Sequence, residues 1–199
     1  MIAPLIATKS PVAFVIAESA SGIPLWQSEV YSLHNAVVAA GVRGAALRHA
    51  DHVIRLLIAY ARTGRGWNEL AAAEAQYPKE GWHDELTVPK DSYYWSFFRR
   101  IADYDPATYW RGVRVPALIV EAGADQRVPS RPSIAAIRSA LTVAGNPDVT
   151  ILELPGAPHT LIVDARQRPF HWSYLYPGIA DLLVAWTRYH TATLISAGH

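Results

Sequence analysis

Three short and nearly unbroken apolar runs, at 12–17, 117–120 and 149–154, set the frame of the chain. Each is too short for a helix and lacks the alternation of a half-solvated strand, so each reads as a strand buried on both faces. Between the second and third, Ile134, Ile137, Leu141 and Ala144 recur at helical spacing within 130–144, and Gly145 and Pro147 close the pattern. Strand, helix and strand with short links predict a right-handed parallel crossover. A last helix, 177–191, places Ile179, Leu182, Leu183 and Trp186 on one face, where they would cover that sheet.

The stretch from 24 to 110 has a different period. Val30, Leu33 and Val37 repeat within 25–40, and Val53, Leu57 and Tyr60 within 46–61, while 67–77 and 92–104 carry shorter helical patterns. No convincing strand interrupts them, so this reads as a helical insertion between two strands. Its second half is dense in aromatics, among them Tyr77, Trp82, Tyr93, Tyr94, Trp95, Phe97, Phe98 and Tyr104, followed by Tyr109 and Trp110. These either pack the insertion onto the sheet or line an apolar substrate pocket.

Composition narrows the classes. A chain of 199 residues with 51% apolar content can bury ~70% of its unfolded surface, enough for one core or one core plus a lid. The net charge of +1 comes from 18 Lys and Arg against 17 Asp and Glu, with no basic cluster to follow a phosphate backbone, so nucleic acid is not an expected partner. The absence of cysteine excludes disulfides, thiolate metal sites and a cysteine nucleophile together. The apolar start, 1–7, lacks a basic n-region, and no run approaches the ~18 residues of a membrane span. The expectation is a soluble, cytoplasmic protein without a membrane partner.

The candidate chemistry lies at the ends of the second and third strands. The run 113–122 leads through Gly123 and Ala124 to Asp125, and the third strand ends in Leu154-Pro155-Gly156-Ala157-Pro158-His159. An acid and then a histidine, each delivered by a buried strand, are two parts of a hydrolytic triad. The segment Asp105-Pro106 to Trp110, then Val113-Arg114-Val115-Pro116, a strand, and Gly123-Ala124-Asp125-Gln126-Arg127-Val128-Pro129 resembles the approach to the catalytic acid in α/β-hydrolases of the serine aminopeptidase, prolyl-oligopeptidase and dienelactone-hydrolase type. The 154–159 segment is similar to that family's final strand and histidine loop. The resemblance covers 107–186 well and the helical insertion in kind, as a cap domain. It implies a truncated α/β-hydrolase fold: a short parallel sheet of about three strands flanked by helices, made of residues 1–23 and 111–199, with a helical cap at 24–110. It also implies a serine hydrolase cleaving an ester or amide bond through an acyl-enzyme, with a small-molecule substrate and no cofactor. Asp125 and His159 would be the catalytic acid and base.

The nucleophile is the difficulty. An elbow needs small residues two places before and after the serine, because the turn is strained. None of the twelve glycines lies four from another, so Gly-x-Ser-x-Gly does not occur. With any small residue allowed, Ala17-Glu18-Ser19-Ala20-Ser21 comes directly after the first strand. Two registers result. In one, residues 1–7 and the strand 12–17 resemble the helix body and next strand that come after the family's elbow, the elbow itself and both oxyanion donors would precede Met1, and Ser19 is a loop residue. In the other, 12–17 is the nucleophile strand and Ser19 the nucleophile, although Gly22-Ile23-Pro24 interrupts the expected run into a helix. Adjacent parallel strands deliver their C-terminal ends side by side, so Ser19 or Ser21 could lie near His159 in either register.

Glu18 and Glu121 are alternative acids near strand ends, and Asp164 is a further one. His49 and His52, with Asp51 between them, share a helix face but lack a third ligand, so no metal is expected. The turns around Gly41 to Gly44 and Gly64 to Gly66 read as helix ends rather than phosphate loops. If the first strand has an open edge it is apolar, which predicts a homodimer joined strand to strand about a two-fold axis. The alternative to an enzyme is a catalytically impaired fragment or remnant that acts as an oligomerising or small-ligand-binding module, the latter using the aromatic cap.

Overall fold

The computed structural model describes residues 2–77, 80–163 and 174–197. In chain order the elements are α1 (Ala3–Ala7), β1 (Val15–Glu18), α2 (Leu25–Ala39), α3 (Gly44–Thr63), α4 (Trp67–Gln76), α5 (His83–Leu86), α6 (Tyr93–Ile101), α7 (Pro106–Trp110), β2 (Ala117–Ala122), α8 (Ser130–Ala144), β3 (Val149–Leu154) and α9 (Ile179–Ala197). They form two compact units. One holds Met1–Gly22, Pro106–Asp125 and Ser130–His199; the other holds Ile23–Asp105 and Gln126–Pro129.

The first unit is an α/β structure built on a three-stranded parallel sheet in the order β1-β2-β3. The central strand β2 is buried along its whole length, as the apolar run 117–120 predicts for all of it but Glu121. Val15, Ala17, Ala117 and Ile119 point to one face and meet Ile137, Ala140 and Leu141 of α8 together with Trp110. Leu118, Val120 and Ala122 point to the other, where Ile179, Leu182, Leu183 and Trp186 of α9 cover them, as the spacing predicts. Fully burying a Val, Leu or Ile side chain contributes about 1.5–3 kcal/mol, and an alanine methyl less.

Several elements differ from expectation, two of them for clear physical reasons. β1 begins at Val15 rather than at 12, because its ladder is set by β2: Val15 pairs with Ala117, the first residue after Pro116, and Val15 N–H donates to the Pro116 carbonyl at 2.9 Å. The one-turn helices α5 and α7 are too short for a periodic signal to reveal.

The regular elements described in the second unit are all helices. Ala50, Val53, Ile54, Leu57, Ile58 and Ala61 form the buried stripe of α3. Around it pack Val37 of α2, Leu70 and Ala73 of α4, Trp82, Leu86 of α5, and Trp95 and Phe98 of α6. The aromatic-rich segment is therefore largely the core of this helical unit: Trp82 is fully buried, and Tyr60, Trp67 and Trp95 meet edge to face at centroid distances of 4.9 to 6.1 Å. Tyr93 and Phe97 are exposed. Gly64 ends α3 in the left-handed conformation at φ 72°, so that turn is a helix C-cap. No described helix is long and apolar enough to cross a membrane.

Candidate active site

Asp125 and His159 come together. The imidazole Nδ1 lies 2.8 Å from Asp125 Oδ2, with the carboxylate side chain fully buried and the histidine side chain 34% exposed. A carboxylate acceptor and a neutral imidazole fit this contact with Nδ1–H donating, which leaves Nε2 as the accepting nitrogen. That is the tautomer a general base requires.

Backbone contacts between two loops position the pair. At the end of β2, Gly123 N–H donates to Leu154 O at 2.8 Å and Ala124 N–H donates to Ala157 O at 2.9 Å, which ties the loop after β2 to the loop after β3. Gly123 must be glycine for this approach: a Cβ there would lie 2.8 Å from Leu154 O and 3.2 Å from the Pro155 Cα. Asp125 N–H returns to Ala122 O at 3.3 Å, and the Ser130 hydroxyl at the start of α8 donates to the same carbonyl. On the histidine side, Leu161 N–H donates to Pro158 O at 2.8 Å, with Leu161 at φ 56°.

Ser19 lies one residue beyond β1, and its N–H extends the ladder by donating to Val120 O at 2.8 Å. Its φ is 45°, a left-handed conformation uncommon outside glycine and a strain of order 1–3 kcal/mol for other residues. The residue is 7% exposed, and its hydroxyl oxygen is buried without a hydrogen-bond partner. A sharp turn directly after a parallel strand is the local geometry of a nucleophile elbow. The following helix is missing from that geometry, because α2 starts only at Leu25 after Pro24. Ser21 is also buried, at 2% exposure.

The other acids have different placements. Glu18 is exposed at the end of β1. Glu121 is completely buried within β2, and its Oε1 accepts the Ala20 N–H at 3.1 Å while Oε2 has no partner. Burial pushes its carboxyl up to about 8; the Ala20 N–H opposes the shift, and the neighbouring carboxylates of Asp125 and Glu153 add to it. A glutamate inside the run Ala117-Leu118-Ile119-Val120-Glu121-Ala122 is a sequence signal in itself, since a charged residue is almost never fully buried unless paired. Asp164, His171 and His199 lie outside the described residues.

His34 and His49 turn to separate partners. His49 Nδ1 is 2.9 Å from Glu80 and its ring stacks on Tyr77, whereas Asp51 pairs with His34 Nδ1 at 2.7 Å. Among the described residues no group of three or more His, Asp and Glu is arranged to hold a metal ion.

No protein-family model matches the chain, and no curated protein sequence does. Solved structures resemble it, and two of them are as follows. A proline iminopeptidase from Mycobacterium smegmatis shares 15% identity over 82% of this chain and 56% of its own, with a TM-score of 0.41. VinJ shares 13% identity over 98% of this chain and 61% of its own, with a TM-score of 0.38. The chain thus spans less than two thirds of the length of either.

Proposed function

We propose that the Asp125–His159 pair is the acid–base half of a site that hydrolyses an ester or amide bond, with Ser19 as acyl acceptor. The observation that carries this reading is the 2.8 Å contact between a fully buried carboxylate and a partly exposed imidazole whose Nε2 is left to accept. In the reaction Ser19 Oγ attacks the acyl carbon while His159 Nε2 takes its proton, and Asp125 holds the imidazole tautomer and stabilises the imidazolium. His159 then returns the proton to the leaving alcohol or amine as that bond breaks. Water, deprotonated in the same way, releases the acid and restores Ser19.

A short-chain aryl ester tests the assignment on the wild type, His159→Ala and Ser19→Ala. Both substitutions should abolish turnover. Activity retained in His159→Ala overturns the reading. Loss with His159→Ala but retention with Ser19→Ala keeps the acid–base pair and removes Ser19.

One observation favours a second reading, a catalytically impaired fragment acting as a binding module. The Ala20 N–H, the amide directly after Ser19, is already engaged by Glu121. Each missing oxyanion donor typically costs ~10²–10³ in rate. Absence of turnover in every chain, with saturable binding of a small acyl ligand by calorimetry, would support this alternative.

A further inference from the structure

Glu121 continues the alternation of β2 and lies with Ala117 and Ile119 on the sheet face that packs against α8. In the β1–β2 register the last pair is Glu18 with Val120, so Ser19 stands at the next rung, beside Glu121. Two polar residues therefore stand on adjacent strand ends, Glu121 fully buried and Ser19 7% exposed. Burying a carboxyl in such surroundings is unfavourable unless hydrogen bonding compensates. Its bond in this structure is to the Ala20 N–H at 3.1 Å, while Glu121 Oε2 and Ser19 Oγ are left without partners.

The direction of that N–H gives the contact its meaning. The left-handed φ of Ser19 bends the chain sharply after β1, and the next amide points back at the Glu121 carboxyl. In acyl transfer from a serine on such a turn, the amide after the serine is the donor that receives the developing oxyanion.

We propose that Glu121 is a built-in occupant of the oxyanion position at Ser19, a positioning residue whose carboxyl must leave the Ala20 N–H before Ser19 can be acylated. This rests on the reading of Ser19 as acyl acceptor. The substrate class is set by the group that would replace the carboxyl: a compact acyl group whose carbonyl oxygen takes the same N–H. Because burial keeps the Glu121 carboxyl protonated at neutral pH, its own C=O is a close stand-in for an ester carbonyl.

A fluorophosphonate probe reads this directly in the full chain. The Ser19 Oγ–P bond forms, the P–F bond breaks, fluoride leaves and the serine proton passes to His159; intact mass and peptide mapping track the modification. Glu121→Ala frees the amide, as does Glu121→Val, whose β-branched side chain suits a strand. Either should raise the labelling rate by about tenfold or more. Glu121→Gln still offers a carbonyl oxygen to the N–H and should restore slow labelling. An unchanged or slower rate in a folded Ala or Val variant overturns the proposal, and so does an equal gain with Gln. In the wild type, an Ala20 amide resonance that stays still while Glu121 titrates overturns it independently of the variants. If the gain persists in the Glu121→Ala, His159→Ala double variant, the role of Glu121 stands and that of His159 falls. If His159-dependent turnover exists without any gain from Ala or Val, the reverse holds.

Discussion

His159 Nδ1 meets Asp125 Oδ2 at 2.8 Å across 34 positions of sequence because the Ala124 N–H holds the Ala157 carbonyl at 2.9 Å. The side-chain contact thus sits directly on a backbone contact between the two loops. The acid is sealed from solvent while the imidazole reaches it, which preserves the strength of their hydrogen bond and leaves Nε2 for chemistry.

Replacing Asp125 by Asn tests what the acid does. Asn can present an NH₂ donor to Nδ1, which favours the opposite imidazole tautomer. Ester turnover should fall by about 10²–10⁴. Long-range ¹H–¹⁵N spectra of His159 should show the proton on Nδ1 in the wild type and on Nε2 in Asp125→Asn, a change that simple loss of stability would not produce.

Glu121 makes stability depend on pH. Its carboxyl is raised by burial from 4.5 to about 8 in the folded chain, so the folded state binds this proton more tightly than the unfolded state. The associated stability is fully present below about 4.5 and is lost as pH rises to about 8, where it levels off. At about 1.4 kcal/mol per pKa unit the loss is on the order of a few kcal/mol. Urea midpoints measured across this window should decline in the wild type, and the decline should flatten in Glu121→Gln.

Gly123→Ala should separate the two loops. The added Cβ would press on Leu154 O at 2.8 Å and on the Pro155 Cα at 3.2 Å, both main-chain atoms that cannot swing aside. The expected cost is about 1–3 kcal/mol from overpacking, with loss of the His159–Asp125 bond. Denaturant melts give the first quantity and the His159 ring-nitrogen signals the second.

β1 is an outer strand of the sheet, paired to β2 on one side. An apolar outer strand is a template for another strand, and pairing of two copies across it about a two-fold axis would use the amides on the side away from β2. Sedimentation equilibrium should show a dimer, and Ile16→Pro, which removes a ladder donor from the edge strand, should shift it toward monomer. A wild type that stays monomeric at every concentration refutes the pairing.

How far the site can be read in the sequence varies residue by residue. Asp125 and His159 are visible because each comes after a buried strand and a short run of small residues, a pattern local enough to survive in one dimension. The bond between them is not visible, since it depends on Ala124 and Ala157, whose side chains carry no chemical signal. Glu121 is legible as an anomaly, a carboxyl in an apolar strand, but reads from sequence as a spare catalytic acid. Its engagement with Ala20 depends on the backbone turn at Ser19, and Ser19 carries no glycine to announce a left-handed φ. The aromatics of the helical segment show a similar division: their number is evident, yet only packing places Trp82, Trp95 and Phe98 in a helical core.

The three parallel strands, the main helices and the two ionisable groups at strand ends are already fixed in one dimension, because hydrophobic periodicity and strand punctuation are local properties of the chain. Folding in three dimensions selects which strand edge pairs with which, makes Asp125 and not Glu121 the partner of His159, and gives Glu121 the amide after Ser19 instead. Those choices turn on hydrogen-bond distances between segments far apart in the chain, such as the separation of 101 between Ala20 and Glu121, and no periodicity along the chain records them.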